Sequence, residues 1–202
     1  MNAIETLKLR YPWPAEKPDV PAEMSGWFAG PNRQALAELL SPATDVVLEL
    51  GSWVGMSATH ICQCAPNATV LCIDHWLGSA EHHRRPEWEA RLPTLYETFL
   101  VNMWEFRDRL IPMKTTTLEG MREIHALGIV PRIVYIDAAH DEESVFQDVS
   151  MAQESFPTAD ILGDDWPWDS VRKGVVRATW RKHFKTCGIS GWHIPANQKK
   201  KT

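Results

Sequence analysis

The stretch Val46-Val-Leu-Glu-Leu-Gly-Ser-Trp-Val-Gly-Met-Ser57, followed by Val70-Leu-Cys-Ile-Asp-His-Trp76, decides the fold. Its first residues form a short apolar run that ends at Gly51, which is typical of a buried strand. A helix is predicted to begin at Met56, and a second apolar strand ends at Asp74. A strand, a glycine turn and a helix place backbone N–H groups at the carboxyl end of the strand. An acid at the tip of the second strand can accept hydrogen bonds from both ribose hydroxyls, so the two segments predict a nucleoside-cofactor site.

The charge and bulk of the glycine turn distinguish between nucleoside cofactors. The dinucleotide fingerprint Gly-x-Gly-x-x-Gly is missing, and the turn instead runs from Glu49 through Gly51 to Gly55, with Ser52 and Trp53 between. Glu49 would repel a pyrophosphate but attract a sulfonium or an ammonium. S-adenosylmethionine (SAM) carries both cations and no phosphate, so we interpret the turn as a SAM site. A plain strand–turn–helix of another α/β protein is the alternative, and a nicotinamide oxidoreductase is disfavoured because the third glycine is missing.

Length, composition and charge limit the class of protein. The chain has 202 residues, 44% hydrophobic and 23% charged, as expected for one domain with a sizeable core. A net charge of −5 argues against nucleic acid as the main partner. Because no apolar run is long enough to span a membrane and no signal peptide opens the chain, we expect a cytoplasmic protein without a membrane partner. The 4 cysteines show no paired Cys-x-x-Cys spacing and are interpreted as reduced thiols.

The chain is predicted to divide into three segments. Residues 1–30 are rich in proline around Tyr11 and Trp13, which predicts an extended N-terminal arm without a helix. We favour an arm packed on the core, although it could also cover the cofactor or clasp a second subunit in a homo-oligomer. Residues 31–195 are predicted to form the cofactor-binding domain, and residues 196–202 a basic disordered tail.

Strand and helix patterns alternate along the rest of the chain. Further strands are predicted at Leu110–Thr115, Ile133–Asp137 and Asp160–Asp165, with amphipathic helices between them. Such alternation predicts an α/β fold: a doubly wound, mostly parallel sheet with helices on both faces. In such sheets, ligands bind beyond the carboxyl ends of the strands. The segment Lys185–Ile194 is predicted to form one or two short edge strands.

Two connecting segments are predicted to border this site. Residues 75–91 have few apolar anchors and are predicted to form a mobile loop over it. A metal site there is disfavoured because His82 and His83 are adjacent and cannot easily ligate one ion. Thr116 opens a capping box for the next helix. Thr117 lies where it could hydrogen-bond an adenine ring, unless both threonines only cap the helix.

Acidic residues follow the fourth and fifth predicted strands, which end in Asp137-Ala-Ala-His140 and Asp164-Asp165. If these strands are neighbours, about 4.8 Å apart, the three aspartates meet at one rim. They would repel one another unless a cation lies between them. Oxygen ligands with room for water favour Mg²⁺ or Mn²⁺. The alternative is that Asp137 and Asp164 cap the following helices while Asp165 faces solvent.

These motifs resemble those of metal-dependent O-methyltransferases, including the catechol-type and macrocin-type sugar enzymes. The closer resemblance is to proteins of the methyltransferase domain 24 type, through residues 49–57, 73–79, 135–141 and 163–166. It implies a Rossmann-like class I methyltransferase fold with SAM as cofactor. It also implies that Asp137, Asp164 and Asp165 hold Mg²⁺.

The resemblance implies O-methylation of a small hydroxylated acceptor, such as a phenol, a sugar or a related metabolite. His140 stands where catechol-type enzymes place a lysine, so it would take the proton of the hydroxyl, and a buried structural histidine is the alternative. A metal-independent methyltransferase and a non-catalytic SAM-binding module are the rival functions. The predicted cofactor-binding residues follow the strand ends: Glu49, Gly51, Ser52, Trp53, Gly55, Ser57, Asp74, His75, Trp76, Thr116, Thr117 and Asp137. The tryptophans predicted to wall the acceptor, unless at least two of them are core residues, are Trp53, Trp76, Trp166 and Trp168.

Overall fold

A parallel sheet places the candidate site at the carboxyl ends of its strands. The computed structural model of the chain describes residues 2–28, 30–180 and 183–196, so most of the predicted tail lies outside the described residues. The strands are β1 Val46–Leu50, β2 Thr69–Asp74, β3 Leu110–Lys114, β4 Ile133–Ile136, β5 Asp160–Gly163, β6 Lys185–Cys187 and β7 Gly191–Ile194. The helices are α1 Ala3–Arg10, α2 Gly30–Leu39, α3 Met56–Cys64, α4 Ala80–His83, α5 Pro86–Glu89, α6 Leu95–Asn102, α7 Thr117–Ala126, α8 Glu142–Ser155 and α9 Asp169–Ala178.

The described strands form one sheet in the order β3-β2-β1-β4-β5-β7-β6. Strands β1 to β5 are parallel, and β7 pairs antiparallel with both β5 and β6. Helices cover both faces of the sheet because successive residues of β1 point to opposite faces. Leu48 packs in one core with α7, α8 and α9, whereas Val47 packs in the other with α2, α3 and α6. The prediction of a doubly wound, mostly parallel α/β fold is confirmed.

The end of the chain corrects the prediction of edge strands. Of the two strands that this segment forms, β6 lies at one edge of the sheet. The other strand, β7, is inserted between β5 and β6, and all of its residues are buried. Gly163 of β5 makes this insertion possible. A Cβ atom at Gly163 would lie 2.1 Å from the ring of Trp192, so the missing side chain leaves the space that the indole fills. An apolar pattern of only a few residues does not separate an inner strand from an edge strand.

The N-terminal arm also differs from the prediction, because it begins with helix α1. The Asn2 side chain accepts a hydrogen bond from the N–H of Glu5 at 2.9 Å and caps this helix, and Leu7 is fully buried. The prediction of an arm without a helix is therefore wrong for its first residues. The prolines begin only at Pro12, after the helix has ended, so they do not oppose it.

The rest of the arm packs on its own chain. The Tyr11 hydroxyl donates to Glu123 at 2.7 Å, and the Trp13 indole donates to the carbonyl of Leu110 at 2.8 Å. These contacts agree with the favoured interpretation of an arm packed on the core. Its role in a homo-oligomer stays a prediction.

Among the described residues, no helix combines the length and the apolarity that a bilayer crossing requires.

A buried contact between a histidine and an aspartate joins β5 to β7 and gives a prediction for stability. His193 Nε2 lies 2.9 Å from Asp160 Oδ1. Burial acts to raise the pKa of Asp160, but hydrogen bonds from His193 and the N–H of Ala196 lower it overall. An acid with a lowered folded-state pKa contributes stability above its unfolded pKa and loses it as the pH falls through the folded pKa. Asp160→Asn is expected to lower the free energy of unfolding at pH 7 by about 1.5–3 kcal/mol.

Urea unfolding of the Asp160→Asn variant at pH 7 and below pH 4 checks this prediction. The difference in the free energy of unfolding between the wild type and the variant should become smaller as the pH falls. The surface variant Asp108→Asn is the control, since Asp108 is exposed. A gap that stays constant over this range, or a variant as stable as the wild type at pH 7, would show that the pair adds nothing.

Candidate active site

Four neighbouring strands bring the predicted site residues to one rim. In the sheet register Leu50 lies beside Ile73 and Ile136, and Ile136 lies beside Gly163. The residues that close β2 or follow the other three strands, Gly51, Asp74, Asp137 and Asp164, therefore stand next to one another. The prediction that strands four and five are neighbours is confirmed by this pairing.

Gly51 is required by the close approach of two strand ends. Its φ angle is +83°, and a Cβ atom there would lie 2.0 Å from the carbonyl oxygen of Asp137. The backbone is fixed by the bond from the N–H of Gly51 to the carbonyl of Ile73 and by that from the N–H of Asp137 to the carbonyl of Leu50. The glycine at this position therefore lets the ends of β1 and β4 approach each other closely. Gly55, with a φ angle of +94°, precedes helix α3.

Asp74 holds the turn after β1 in place. Its Oδ2 accepts the N–H groups of Ser52 at 3.1 Å and Trp53 at 2.9 Å, and its Oδ1 accepts the N–H of Trp76 at 2.7 Å. Trp53 and Trp76 both have positive φ angles, which non-glycine residues rarely adopt. The carboxylate thus stabilises two unusual turns. Since each carboxylate oxygen can accept two hydrogen bonds, Oδ1 keeps capacity for a ribose hydroxyl.

The other predicted cofactor residues of this region differ in exposure. Trp76 is 2% exposed, packs between Tyr96 and Phe99, and donates to the carbonyl of Trp53. It is a core residue, so its predicted place in the acceptor wall is wrong. Ser57 is buried in α3, whereas the exposed His75 accepts the N–H of Leu77 at its own ring.

Glu49 corrects the charge argument that favoured SAM. The side chain is fully buried beneath the turn, and the Ser52 hydroxyl donates to its Oε2. Burial raises the pKa of Glu49, which favours its neutral form. A carboxyl buried beneath the turn is not exposed at the rim, so the preference for SAM has to rest on the turn and on the family rather than on this charge.

The turn after β3 carries the two predicted threonines. Thr116 caps α7, where its hydroxyl oxygen accepts the N–H of Glu119 and its O–H donates to the Glu119 carboxylate. The predicted cap is confirmed. Thr117 instead donates its hydroxyl to Asp148 on α8 at 2.6 Å, and burial raises the pKa of Asp148 to about 6. Only the oxygen of Thr117 is left to accept a bond from an adenine, and that role stays a prediction.

An acidic centre lies beyond the ends of β4 and β5. Asp137, His140 and Asp165 each place one ligating atom within 4.8 Å of the other two. His140 Nε2 lies 2.8 Å from Asp165 Oδ2. The structure does not bring Asp164 into this group. Its side chain is 8% exposed and accepts the N–H of Asp165 at Oδ1, so the role of Asp164 as a metal ligand stays a prediction.

The electrostatics of the centre follow from burial and like charge. Burial raises the pKa of Asp137 well above its ordinary value, and the nearby carboxylates of Asp164 and Asp165 raise it further. Burial acts to lower the pKa of His140, but the hydrogen bond and charge of Asp165, with Asp137 and Glu81, raise it overall. Within the described residues no lysine or arginine pairs with the three aspartates. The centre is therefore acidic and has only His140 to offset its charge.

The segment of residues 75–91, predicted as a mobile loop over the site, contains the short helices α4 and α5 and covers part of the rim. His82 stacks on Trp53 at a ring distance of 4.2 Å, and Trp88 packs on Trp27 of the arm at 4.7 Å. Glu81 Oε1 lies 3.7 Å from His140 Nδ1. Glu81 was not among the residues predicted for the site. The available signal was the pair Ser79 and His82, which caps α4 and so fixes the direction of Glu81.

The remaining tryptophans of the predicted wall lie at the start of α9. Trp168 is 44% exposed, and its ring centre is 4.7 Å from that of His140. Trp166 packs on Phe184 at 5.4 Å. Trp168 therefore borders the centre, whereas Trp166 packs on Phe184 and Trp53 lies against His82.

The sheet order, the glycine turn and the acidic rim together define a Rossmann-like class I methyltransferase. The chain belongs to the methyltransferase domain family of type 24, whose profile matches residues 48–166. A comparison with curated proteins by sequence gives no match. The family assignment agrees with the predicted resemblance, which is thereby confirmed.

Solved structures share this fold at low sequence identity. A candidate rRNA methylase from Clostridium thermocellum has 12% identity and a TM-score of 0.59, over 82% of this chain and 93% of that chain. CalS11, a TDP-rhamnose 3'-O-methyltransferase of calicheamicin biosynthesis, has 11% identity and a TM-score of 0.58, over 82% and 77%. Cofactor-bound Rv0187 from MTB has 16% identity and a TM-score of 0.58, over 95% and 87%. At these identities the similarity shows the fold alone.

Asp74 gives a prediction that separates binding from support of the turn. Asp74→Ala removes one acceptor from three backbone N–H groups. We expect weaker SAM binding. We also expect the free energy of unfolding to fall by about 1–3 kcal/mol, which lowers the melting temperature. Calorimetric titration and thermal unfolding measure the two effects. Asp108→Ala, the control at an exposed acid outside the site, should change neither by much, and a wild-type melting curve for Asp74→Ala would contradict the supporting role.

Proposed function

We propose that the protein transfers the methyl group of SAM to a hydroxyl of a small molecule at the centre formed by Asp137, His140 and Asp165. The observation that carries the proposal is the placement of this centre beside the glycine turn. Asp137 follows β4, and its carbonyl oxygen lies against Gly51 of the turn. A cofactor on the turn and an acceptor at the centre would therefore be neighbours. The family of the chain supports methyl transfer as the reaction.

The residues of the rim fit SAM as cofactor. The glycine turn leads from the end of β1 to the N-terminus of α3, and Asp74 Oδ1 keeps capacity for a ribose hydroxyl. The turn lacks the third glycine of a dinucleotide site, which argues against NAD. SAM would be held by the turn, by Asp74 and by the segment after β3 that contains Thr116 and Thr117.

The donor set also fits a divalent cation. Two carboxylates, those of Asp137 and Asp165, lie close together. Burial and the acidic neighbours raise the pKa of Asp137. Mg²⁺ in proteins is held by one or two carboxylates and waters, and Mn²⁺ accepts the same oxygen ligands. Asp137 and Asp165 would hold the ion. Bound there, it would supply a positive charge that lowers the pKa of an acceptor hydroxyl.

His140 would take the proton of the acceptor. Its Nε2 is engaged by Asp165, and its Nδ1 is buried without a hydrogen-bond partner among the described residues. The carboxylate fixes the orientation of the ring and favours the proton on Nε2, which leaves Nδ1 to accept another. Trp168 and Trp53 would border a flat acceptor, such as a phenol or a sugar. The net charge of −5 favours a small molecule over nucleic acid, and we place the reaction in the cytoplasm.

A metal-independent methyltransferase is the second candidate. The pair of His140 and Asp165 is complete in itself and could remove a proton without an ion. Once an acceptor is found, activity that survives exhaustive EDTA treatment would select this candidate. Loss of activity that Mg²⁺ or Mn²⁺ restores would select the first.

A thermal-shift panel tests the cofactor. SAM, S-adenosylhomocysteine and NAD are each added with and without Mg²⁺. SAM and S-adenosylhomocysteine should raise the melting temperature in a concentration-dependent way, because a ligand that binds only the folded state stabilises it by mass action. NAD should leave it unchanged. A response to NAD alone would overturn the proposal.

A further inference from the structure

Asp148 is a buried acid of α8 that the proposed reaction does not use. Its side chain is 3% exposed, and no basic side chain of the described residues pairs with its carboxyl. The Thr117 hydroxyl donates to Asp148 Oδ1 at 2.6 Å. Burying an acid without a counter-charge is costly, and burial raises the pKa of Asp148 to about 6. A neutral asparagine would join α7 to α8 without this cost, so the acid indicates a role beyond bracing the two helices.

The carboxylate of Asp148 fixes the direction of the Thr117 hydroxyl. An ionised carboxylate has no proton to donate, so the hydrogen bond has to run from the hydroxyl to the acid. A hydroxyl has one proton and two lone pairs, and this bond uses the proton. Toward a ligand, Thr117 can therefore only accept a hydrogen bond. A threonine without the acid could present either its proton or its oxygen.

Thr117 stands on the side of Asp74 that lies away from the glycine turn. Strand β2, which ends at Asp74, has β1 on one side and β3 on the other. Asp74 lies beside Lys114 of β3 in the sheet register, and the N–H of Thr115 donates to the carbonyl of Asp74 at 3.1 Å. Thr117 is the first residue of α7, two positions further along the chain. The half-buried Thr117 therefore borders the cofactor site opposite the turn after β1.

The chemistry of SAM directs its base toward this side. The base and the sulfonium are attached at opposite ends of the ribose. With the ribose hydroxyls at Asp74 and the sulfonium at the turn after β1, the base points away from the turn and toward Thr117. The 6-amino group is the N–H donor of adenine, whereas a 6-oxo base carries an acceptor at the same position. An acceptor of fixed direction distinguishes these two bases.

We propose that Asp148 is a positioning residue that makes the cofactor site specific for adenine, by holding the Thr117 hydroxyl so that its oxygen accepts a hydrogen bond from the 6-amino group. A 6-oxo base would set two acceptors against each other and leave the buried pair without its donor. The inference rests on the proposed function, because it takes SAM as the cofactor.

Calorimetric titration with two nucleosides tests the proposal without any methyl acceptor. The probes are S-adenosylhomocysteine and its 6-oxo counterpart, S-inosylhomocysteine, at pH 8, where Asp148 is ionised. The wild type should bind the 6-amino compound at least about tenfold more tightly, because a site built for a donor rejects a ligand that lacks it. In Asp148→Asn this ratio should fall to within about threefold, since an amide can donate as well as accept and lets the hydroxyl turn.

Three further variants separate specificity from bracing of the helices. Thr117→Ser keeps the hydroxyl and should keep the wild-type ratio of the two affinities. Thr117→Val removes the hydroxyl and should lose the ratio, and it decides the question if Asp148→Asn does not fold. The matched control is Glu143→Gln, which neutralises an exposed acid of the same helix and should leave the ratio unchanged.

Equal affinity of the wild type for the two nucleosides would overturn the inference and leave SAM as the cofactor. A wild-type ratio in Asp148→Asn would also overturn it, because the acid would then only join α7 to α8. The same holds for a wild-type ratio in Thr117→Val. If the wild type binds neither nucleoside, the proposed cofactor is wrong, and the inference fails with it.

Discussion

Gly51→Ala is expected to weaken SAM binding so far that calorimetric titration detects little or none of it. The new Cβ atom would lie 2.0 Å from the carbonyl oxygen of Asp137, so the two strand ends have to separate. The φ angle of +83° adds strain of about 1–3 kcal/mol for a residue with a side chain. A combined loss of about 3 kcal/mol corresponds to a weakening of about a hundredfold. The same displacement moves Asp137, so the response to Mg²⁺ should also weaken.

Gly30→Ala is the matched control for this variant. A Cβ atom at Gly30 meets nothing within 4 Å, and the residue lies in α2. Alanine is the better helix former, so we expect unchanged SAM affinity and equal or slightly higher stability. SAM affinity of Gly51→Ala within about twofold of wild type would place the cofactor away from the turn after β1.

Asp137→Asn is expected to raise the melting temperature of the ligand-free protein and to remove its response to Mg²⁺ and Mn²⁺. Burial, with the charges of Asp164 and Asp165, raises the pKa of Asp137 well above its ordinary value. An acid whose folded-state pKa is raised favours the folded state when protonated. Its contribution is therefore present below the unfolded pKa and declines as the pH rises toward the folded pKa. Asparagine keeps the shape without this loss.

Thermal unfolding of both proteins between pH 5 and pH 8 measures the effect. The wild type should lose stability relative to Asp137→Asn as the pH rises. Asp169→Asn is the control, since Asp169 is exposed in α9 and pairs with the surface residues Arg172 and Lys173, so its replacement should change stability little at any pH in this range. A variant that is less stable than the wild type and still responds to Mg²⁺ would contradict the acidic centre.

The central part of the fold could be predicted because its signals are local. The apolar runs of β1, β2 and β4 are flanked by Gly51, Asp74 and Asp137, and each run lies where the sequence indicated. Parallel strands put their carboxyl ends on one edge, so the meeting of these residues followed from the alternation of strands and helices. The candidate centre could be located for the same reason.

The contacts that sequence analysis missed depend on the direction of single side chains. Asp164 and Asp165 are adjacent in the sequence. Which of the two side chains turns toward His140 depends on the left-handed backbone of Asp165, and the neighbouring residues do not predict that conformation. The burial of Glu49 depends on how closely the turn after β1 folds back over it. The helix α1 was overlooked because the prolines that follow it dominated the composition of the arm.

Relaxation of the SAM methyl group by bound Mn²⁺ tests most directly the claim that cofactor and acidic centre form one active site. The measurement uses SAM with a ¹³C-labelled methyl group, bound to the protein with either Mn²⁺ or the diamagnetic Mg²⁺. The account predicts strong broadening of the methyl resonance by Mn²⁺ in the wild type, and loss of that broadening in Asp137→Asn with SAM still bound. A sharp resonance of bound SAM in the presence of bound Mn²⁺ would contradict the account, because the methyl group would then lie away from the metal site.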